Sequence, residues 1–168
     1  MKLAIISDSH DNLVNLDKGL RIISAEKVST ILCCGDVTTL ETLKHLRRNF
    51  SGEIFLVLGN MDIFSEDEAR QVSGINVLGR MGVFRWADKL IGACHEPFYI
   101  DRLLTQNKNQ KFDFIFYGHT HKPWIEIREG IKIINPGTLG GVFQKASLAI
   151  LDDKSAEPEL KILETINL

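Results

Sequence analysis

Five short clusters in the 168-residue chain hold side chains able to bind a metal ion. Asp8 and His10 stand in Ser7-Asp8-Ser9-His10, and Asp36 follows Gly35. Asn60 lies in Gly59-Asn60-Met61-Asp62, His95 precedes Glu96-Pro97, and His119 and His121 fall in Gly118-His119-Thr120-His121. The chain has five histidines. All but His45 sit in these clusters, and His45 falls on a helical pattern where it reads as a surface residue. Imidazoles, carboxylates and one amide oxygen suit borderline divalent cations, with Mn the first choice and Fe, Zn, Ni or Co as alternatives. No thiolate belongs to the set, which argues against a closed structural zinc site and for a catalytic one.

Asp8 and His10 are one residue apart, so in extended backbone both side chains would point the same way and could hold one ion. His119 and His121 repeat that spacing. Asp36 is the natural bridge between two ions, because a carboxylate has two oxygens to share. Asn60 would add a neutral oxygen. Two ions about 3.5–4 Å apart can share a hydroxide and clamp a phosphate oxygen for in-line attack. That is phosphoester hydrolysis, with Asp36, Asn60 and His95 expected in catalytic roles. Alone, Asp-x-His reads as a solvated loop, Gly-Asp as a turn, Asn60 as a residue tolerant of left-handed backbone, and His95 as a half-buried histidine. Their joint recurrence is what points to a site.

Each cluster follows a short apolar run: LAII from Leu3, TILCC from Thr30, IFLVL from Ile54, LIGAC from Leu90 and FDFIFY from Phe112. These read as strands. Between the early ones, Leu13, Leu16, Leu20 and Ile23 fall at helical spacing, as do Leu40, Leu43 and Leu46. Alternating strands and helices imply parallel crossovers, and in open α/β sheets ligands bind beyond the carboxyl ends of the strands. All five clusters would meet there. Farther on, WIEIR, Glu129-Gly130 and IKII read as a hairpin that ends at Asn135-Pro136-Gly137-Thr138, and SLAILDD with ELKILETI reads as a second. This run of strands suggests a second, mostly antiparallel sheet packed on the first.

The length fits one domain, residues 1–168. A net charge of -2 offers no excess of cations for long nucleic acid or an anionic membrane. Apolar stretches of about five or six residues fall far short of the roughly 20 needed to span a bilayer. The first residues lack the apolar region of a secretory signal, so the expected location is cytoplasmic. Cys33, Cys34 and Cys94 read as reduced, buried thiols, and Trp86 and Trp124 as packing residues. There is no Walker loop and no dinucleotide-binding glycine pattern. A homo-oligomer is left open.

In order, DSH, GD, GNMD, CHE and GHTH resemble the motifs of the calcineurin-like metallophosphoesterases. The compact length and Asn135-Pro136-Gly137-Thr138 are similar to the small bacterial and archaeal phosphodiesterase branch. The resemblance implies a four-layer α/β/β/α sandwich of two facing mixed sheets. It also implies Asp8, His10, Asp36 and His121 around one ion, and Asp36, Asn60, His95 and His119 around the other. The implied substrates are small phosphodiesters. Phosphomonoesterase activity is the alternative, and so is a non-catalytic scaffold like the related retromer subunit, which lacks the histidine of Asp-x-His that this chain keeps as His10. Two positions depart from the family pattern: Met61 stands where many members have a histidine thought to protonate the leaving group or steady the phosphate, and Glu96-Pro97 follows His95 where glycine is usual.

Overall fold

The computed structural model describes residues 1–165. Strand β1 (Lys2–Ile6) is followed by α1 (Leu13–Ala25), β2 (Thr30–Cys33), α2 (Leu40–Arg48), β3 (Glu53–Leu56), α3 (Glu66–Arg70) and β4 (Ile75–Val77). Next come β5 (Met81–Trp86), β6 (Lys89–Cys94), α4 (Tyr99–Gln106) and β7 (Phe114–Phe116). The remaining strands are β8 (Trp124–Arg128), β9 (Ile131–Asn135), β10 (Ser147–Asp152) and β11 (Glu159–Ile162), before a 3-10 turn at Leu163–Thr165. Side-chain caps set the starts of α1, α2 and α3. Asn12 accepts from the Asn15 N–H, Thr39 from the Thr42 N–H, and Ser65 and Glu68 form a capping box.

The first sheet runs β11-β10-β1-β2-β3-β4 and the second β5-β6-β7-β9-β8. Period-two alternation along the strands sorts side chains into layers. Ala4, Ile6, Ile31 and Cys33 face outward beneath Leu16, Leu20 and Ile23 of α1 and Leu43 and Leu46 of α2. Leu3, Ile5, Leu32, Cys34 and Val57 face inward, against Phe84, Ile91, Phe114, Phe116 and Ile134 of the second sheet. Ile100 and Leu103 of α4 cover the far face of that sheet on Cys94, Ile115 and Ile133. The result is the four-layer α/β/β/α arrangement.

Four expectations need correction. The second hairpin does not join the second sheet: β10 pairs antiparallel with β1, Ile5 opposite Ala149, and so extends the first sheet with β11. The second sheet is mixed rather than mostly antiparallel, because β6, β7 and β9 run parallel. Of the stretch read as ELKILETI, only Glu159–Ile162 is strand, and Ile166 lies outside the described residues. Trp86 is buried as expected, but Trp124 is 49% exposed on edge strand β8, with the Lys122 ammonium 5.2 Å from its ring centre. Among the described residues, no helix is long and apolar enough to cross a membrane.

Candidate metal centre

The residues after β1, β2, β3, β6 and β7 gather at one end of the sandwich. The Asp8 N–H donates to the Gly35 carbonyl at 3.0 Å and the His10 N–H to the Asp36 carbonyl at 3.1 Å, joining the first two loops. Asp62 ties the second to the third, accepting the Thr38 and Gly59 N–H groups at 2.7 Å each. The His119 N–H donates to both Asp8 carboxylate oxygens, at 3.2 and 3.1 Å, and so brings in the loop after β7. Gly59 is required by close approach, since a Cβ there would stand 2.1 Å from Asp36 Oδ1.

Backbone geometry here differs from the extended segments expected. Asp8 (φ 54°), His10 (φ 46°), Asp36 (φ 54°), His119 (φ 67°) and His121 (φ 59°) all adopt left-handed conformations. Such conformations are uncommon outside glycine and cluster where the surrounding structure over-determines them, as at functional sites. Tight turns after each strand, rather than side-chain alternation, aim Asp8 and His10 at the same point.

All seven predicted side chains meet. The Nε2 atoms of His10 and His121 are 3.1 Å apart, and Asp8 Oδ1 is 3.3 Å from His121 Nε2 and 3.9 Å from His10 Nε2. Alongside, His95 Nε2 is 3.2 Å from Asp36 Oδ2 and 3.1 Å from Asn60 Oδ1. Asn60 Oδ1 is in turn 2.9 Å from His119 Nδ1. Asp36 Oδ2 also lies 3.9 Å from His10 Nε2, so it stands between the two groups. Asp8, Asp36 and His95 form a buried floor, and Asn60 and His119 an exposed rim. His45 stands apart and pairs with Asp17 at 2.7 Å.

Burial pushes the Asp8 carboxyl above its ordinary range. Asp36 is also desolvated, but the hydrogen bond and charge of His95 outweigh burial and hold it low. His95 moves the opposite way: burial favours its neutral form, and Asp36 and Asp8 overcome that and raise it. The Cys34 carbonyl 2.7 Å from His95 Nδ1 and the Val142 carbonyl 3.1 Å from His121 Nδ1 leave each ring's Nε2 facing the carboxylates. A backbone carbonyl behind each imidazole is the supporting arrangement common to metal-binding histidines. Two donor groups, Asp8-His10-His121 and Asp8-Asp36-His95, are compact enough to hold a cation. Two buried acids with inward-facing lone pairs fit divalent ions.

A sequence profile of the calcineurin-like phosphoesterase superfamily domain matches residues 1–156. The chain belongs to this superfamily. Phosphodiesterase MJ0936 of Methanocaldococcus jannaschii is 28% identical over 98% of this chain and 100% of its own length. Vacuolar protein sorting-associated protein 29 of Schizosaccharomyces pombe is 25% identical over 98% of this chain and 84% of its own. The solved structure of an archaeal phosphodiesterase is 26% identical and superposes with a TM-score of 0.84, covering 96% of this chain and 99% of that one.

Several residues outside the predicted set support the site. Thr138 Oγ1 and the Gly140 N–H both donate to the Asp8 carbonyl, at 2.9 Å each. Asp62 carried a signal in Gly59-Asn60-Met61-Asp62. The loop of residues 139–143 carried none, because its role depends on folding back across β1.

Proposed function

We propose that this calcineurin-like phosphoesterase is a hydrolase of small phosphodiesters. Its two divalent ions, manganese first, would be held by Asp8, His10, Asp36 and His121 on one side and by Asp36, Asn60, His95 and His119 on the other. The observation that carries the reading is the position of Asp36 Oδ2, 3.2 Å from His95 Nε2 and 3.9 Å from His10 Nε2, between the two donor groups. Two ions bound there would supply Lewis-acid charge to phosphoryl oxygens and make an attacking water more acidic.

The chain's own residues set the geometry. The Met61 N–H holds Asp36 Oδ1 at 2.8 Å, which turns the other carboxylate oxygen inward. The Cys34 and Val142 carbonyls fix two imidazole orientations. Asn60 and His119, exposed at the rim, would meet substrate. Met61 offers no proton to a leaving group. Glu96 follows His95, is buried, and its Oε2 has no hydrogen-bond partner among the described residues.

The 28% identity to a phosphodiesterase supports diesters over monoesters. The likeness to the vacuolar protein sorting-associated protein favours a second reading, a non-catalytic interaction scaffold. The complete donor set, His10 included, weighs against it. Metal-stripped protein given manganese should hydrolyse bis(p-nitrophenyl) phosphate faster than p-nitrophenyl phosphate. Reversed preference selects the phosphomonoesterase, and inactivity with both ions bound selects the scaffold.

A further inference from the structure

Phe143 is 91% exposed, the highest value among the large exposed apolar residues that the structure describes. Single exposed apolar residues are ordinary on protein surfaces. Phe143 differs because its φ is 61°, a left-handed conformation in which a bulky residue is a genuine outlier. Its ring also lies 6.0 Å from the His121 ring with only 23° between their planes.

The supporting loop is tied to the metal centre. The Leu139 N–H donates to the Ser7 carbonyl at 2.8 Å and the Gly140 N–H to the Asp8 carbonyl at 2.9 Å. The Asn12 and Asn15 side-chain amides donate to the Gly140 carbonyl at 2.9 and 3.0 Å. The Val142 carbonyl, one residue before Phe143, faces His121 Nδ1 at 3.1 Å. Phe143 is therefore an open aromatic face held beside a candidate metal ligand by a braced loop. Any planar π-system can stack on such a face without hydrogen-bond readout. The net charge of -2 gives no overall cationic excess to favour a nucleic-acid polymer, so a single ring next to a single phosphate is the better match.

We propose that Phe143 is a specificity-determining residue, a stacking platform for a planar ring, aryl or nucleobase, carried by the phosphoester substrate. The proposal rests on the phosphodiesterase reading and names the substrate class of that site.

Manganese-loaded protein should be titrated calorimetrically with methylphosphonate, phenylphosphonate and adenosine 5′-monophosphate. The wild type should bind at least one ring-bearing ligand about tenfold more tightly than methylphosphonate. Phe143→Ala should shrink that preference to about twofold or less while leaving methylphosphonate affinity unchanged, and Phe143→Trp should keep it. Loss confined to phenylphosphonate identifies an aryl ester, and loss confined to the nucleotide, or shared with it, a nucleobase; each supports the platform. An intact preference in Phe143→Ala, or equal weakening of all three ligands, overturns it. Hydrolysis of bis(p-nitrophenyl) phosphate by the same preparation would then leave the phosphodiesterase reading standing. Metal-loaded wild type that binds none of the ligands and hydrolyses no ester overturns both.

Discussion

The Nε2 atoms of His10 and His121 lie 3.1 Å apart although 111 residues separate them in sequence. With the Val142 carbonyl beside its Nδ1, His121 turns a ring nitrogen lone pair toward His10, above an Asp8 oxygen 3.3 Å away. Two imidazole lone pairs repel at that distance unless a proton or a cation stands between them. A divalent ion there would satisfy both rings and the buried carboxylate at once.

Saturated wild-type protein should accordingly carry about two divalent ions per chain. Asp36→Asn should lower both occupancy and turnover, and the rate should fall by more than the roughly 10–100-fold that losing a supporting residue costs at metal sites. His45→Ala should leave the rate unchanged, since His45 contacts Asp17 rather than any of the seven donors. Elemental analysis alongside steady-state rates makes the comparison. Equal losses in the two variants, at matched folding, would place the centre elsewhere.

Gly118→Ala should destabilise the metal-free fold. A Cβ at Gly118 would come within 2.0 Å of Ser7 Oγ, 2.9 Å of Asp8 Oδ2 and 3.1 Å of the Cys34 carbonyl. The two sheets would have to separate locally, at a cost of about 1–3 kcal/mol. Urea unfolding reads this as a lower midpoint with an unchanged slope. A midpoint equal to the wild type's would show that Ser7 can rotate away and the carbonyl can yield.

The candidate donors are legible in sequence because each follows an apolar run that must end at the rim of a sheet, and the residue types there share one chemistry. Their left-handed backbone is not legible. Nothing in Asp8 or His10 as a residue type demands positive φ; the turn is imposed by partners far along the chain, such as Leu139 and Gly140 bonding to Ser7 and Asp8. The sheet assignment of β10 is hidden for the same reason. Ser147–Asp152 is buried along most of its length, so its pattern fits either sheet, and only the Ile5–Ala149 pairing decides. Strand β4 is three residues long and half exposed, and α3 spans five residues. Both are too short for periodicity to register. Trp124 is an apolar type on an exposed edge, which composition alone cannot foresee.

Acid should selectively weaken the junction of α1 with β1 and β11. Hydrogen bonds from Lys2 and Lys161 hold the Glu26 carboxyl below its ordinary value, and Lys161 is raised in turn by Glu159 and Glu26. A depressed carboxylate pKa contributes stability above the unfolded-state value of about 4.3 and loses it as pH falls through the lower folded-state value. Glu26→Gln should therefore cost about 0.2–1 kcal/mol near neutrality, the range of solvent-screened pairs. Once the pH has fallen below the lowered folded-state value, the variant and wild type should converge. Thermal unfolding across this window tests it, and a difference that persists undiminished in acid would assign the effect to packing rather than charge.

Met61 gives the sharpest test of mechanism. Its N–H is committed to Asp36 Oδ1 at 2.8 Å, while its side chain is 51% exposed beside Asn60 and carries no proton to give. Departure of a basic alkoxide ordinarily needs a general acid. Hydrolysis should therefore depend steeply on leaving-group acidity, with aryl esters far ahead of alkyl esters, wherever bond cleavage limits turnover rather than product release. Met61→His should flatten the slope of log kcat against leaving-group pKa by helping poor leaving groups selectively. Occupancy of the metals should not change, because the backbone bond to Asp36 survives the substitution. A shallow slope in the unmodified protein would mean that another group already delivers the proton. Glu96, buried with an unpartnered Oε2, would then be the residue to replace, and Glu96→Gln should restore the steep dependence.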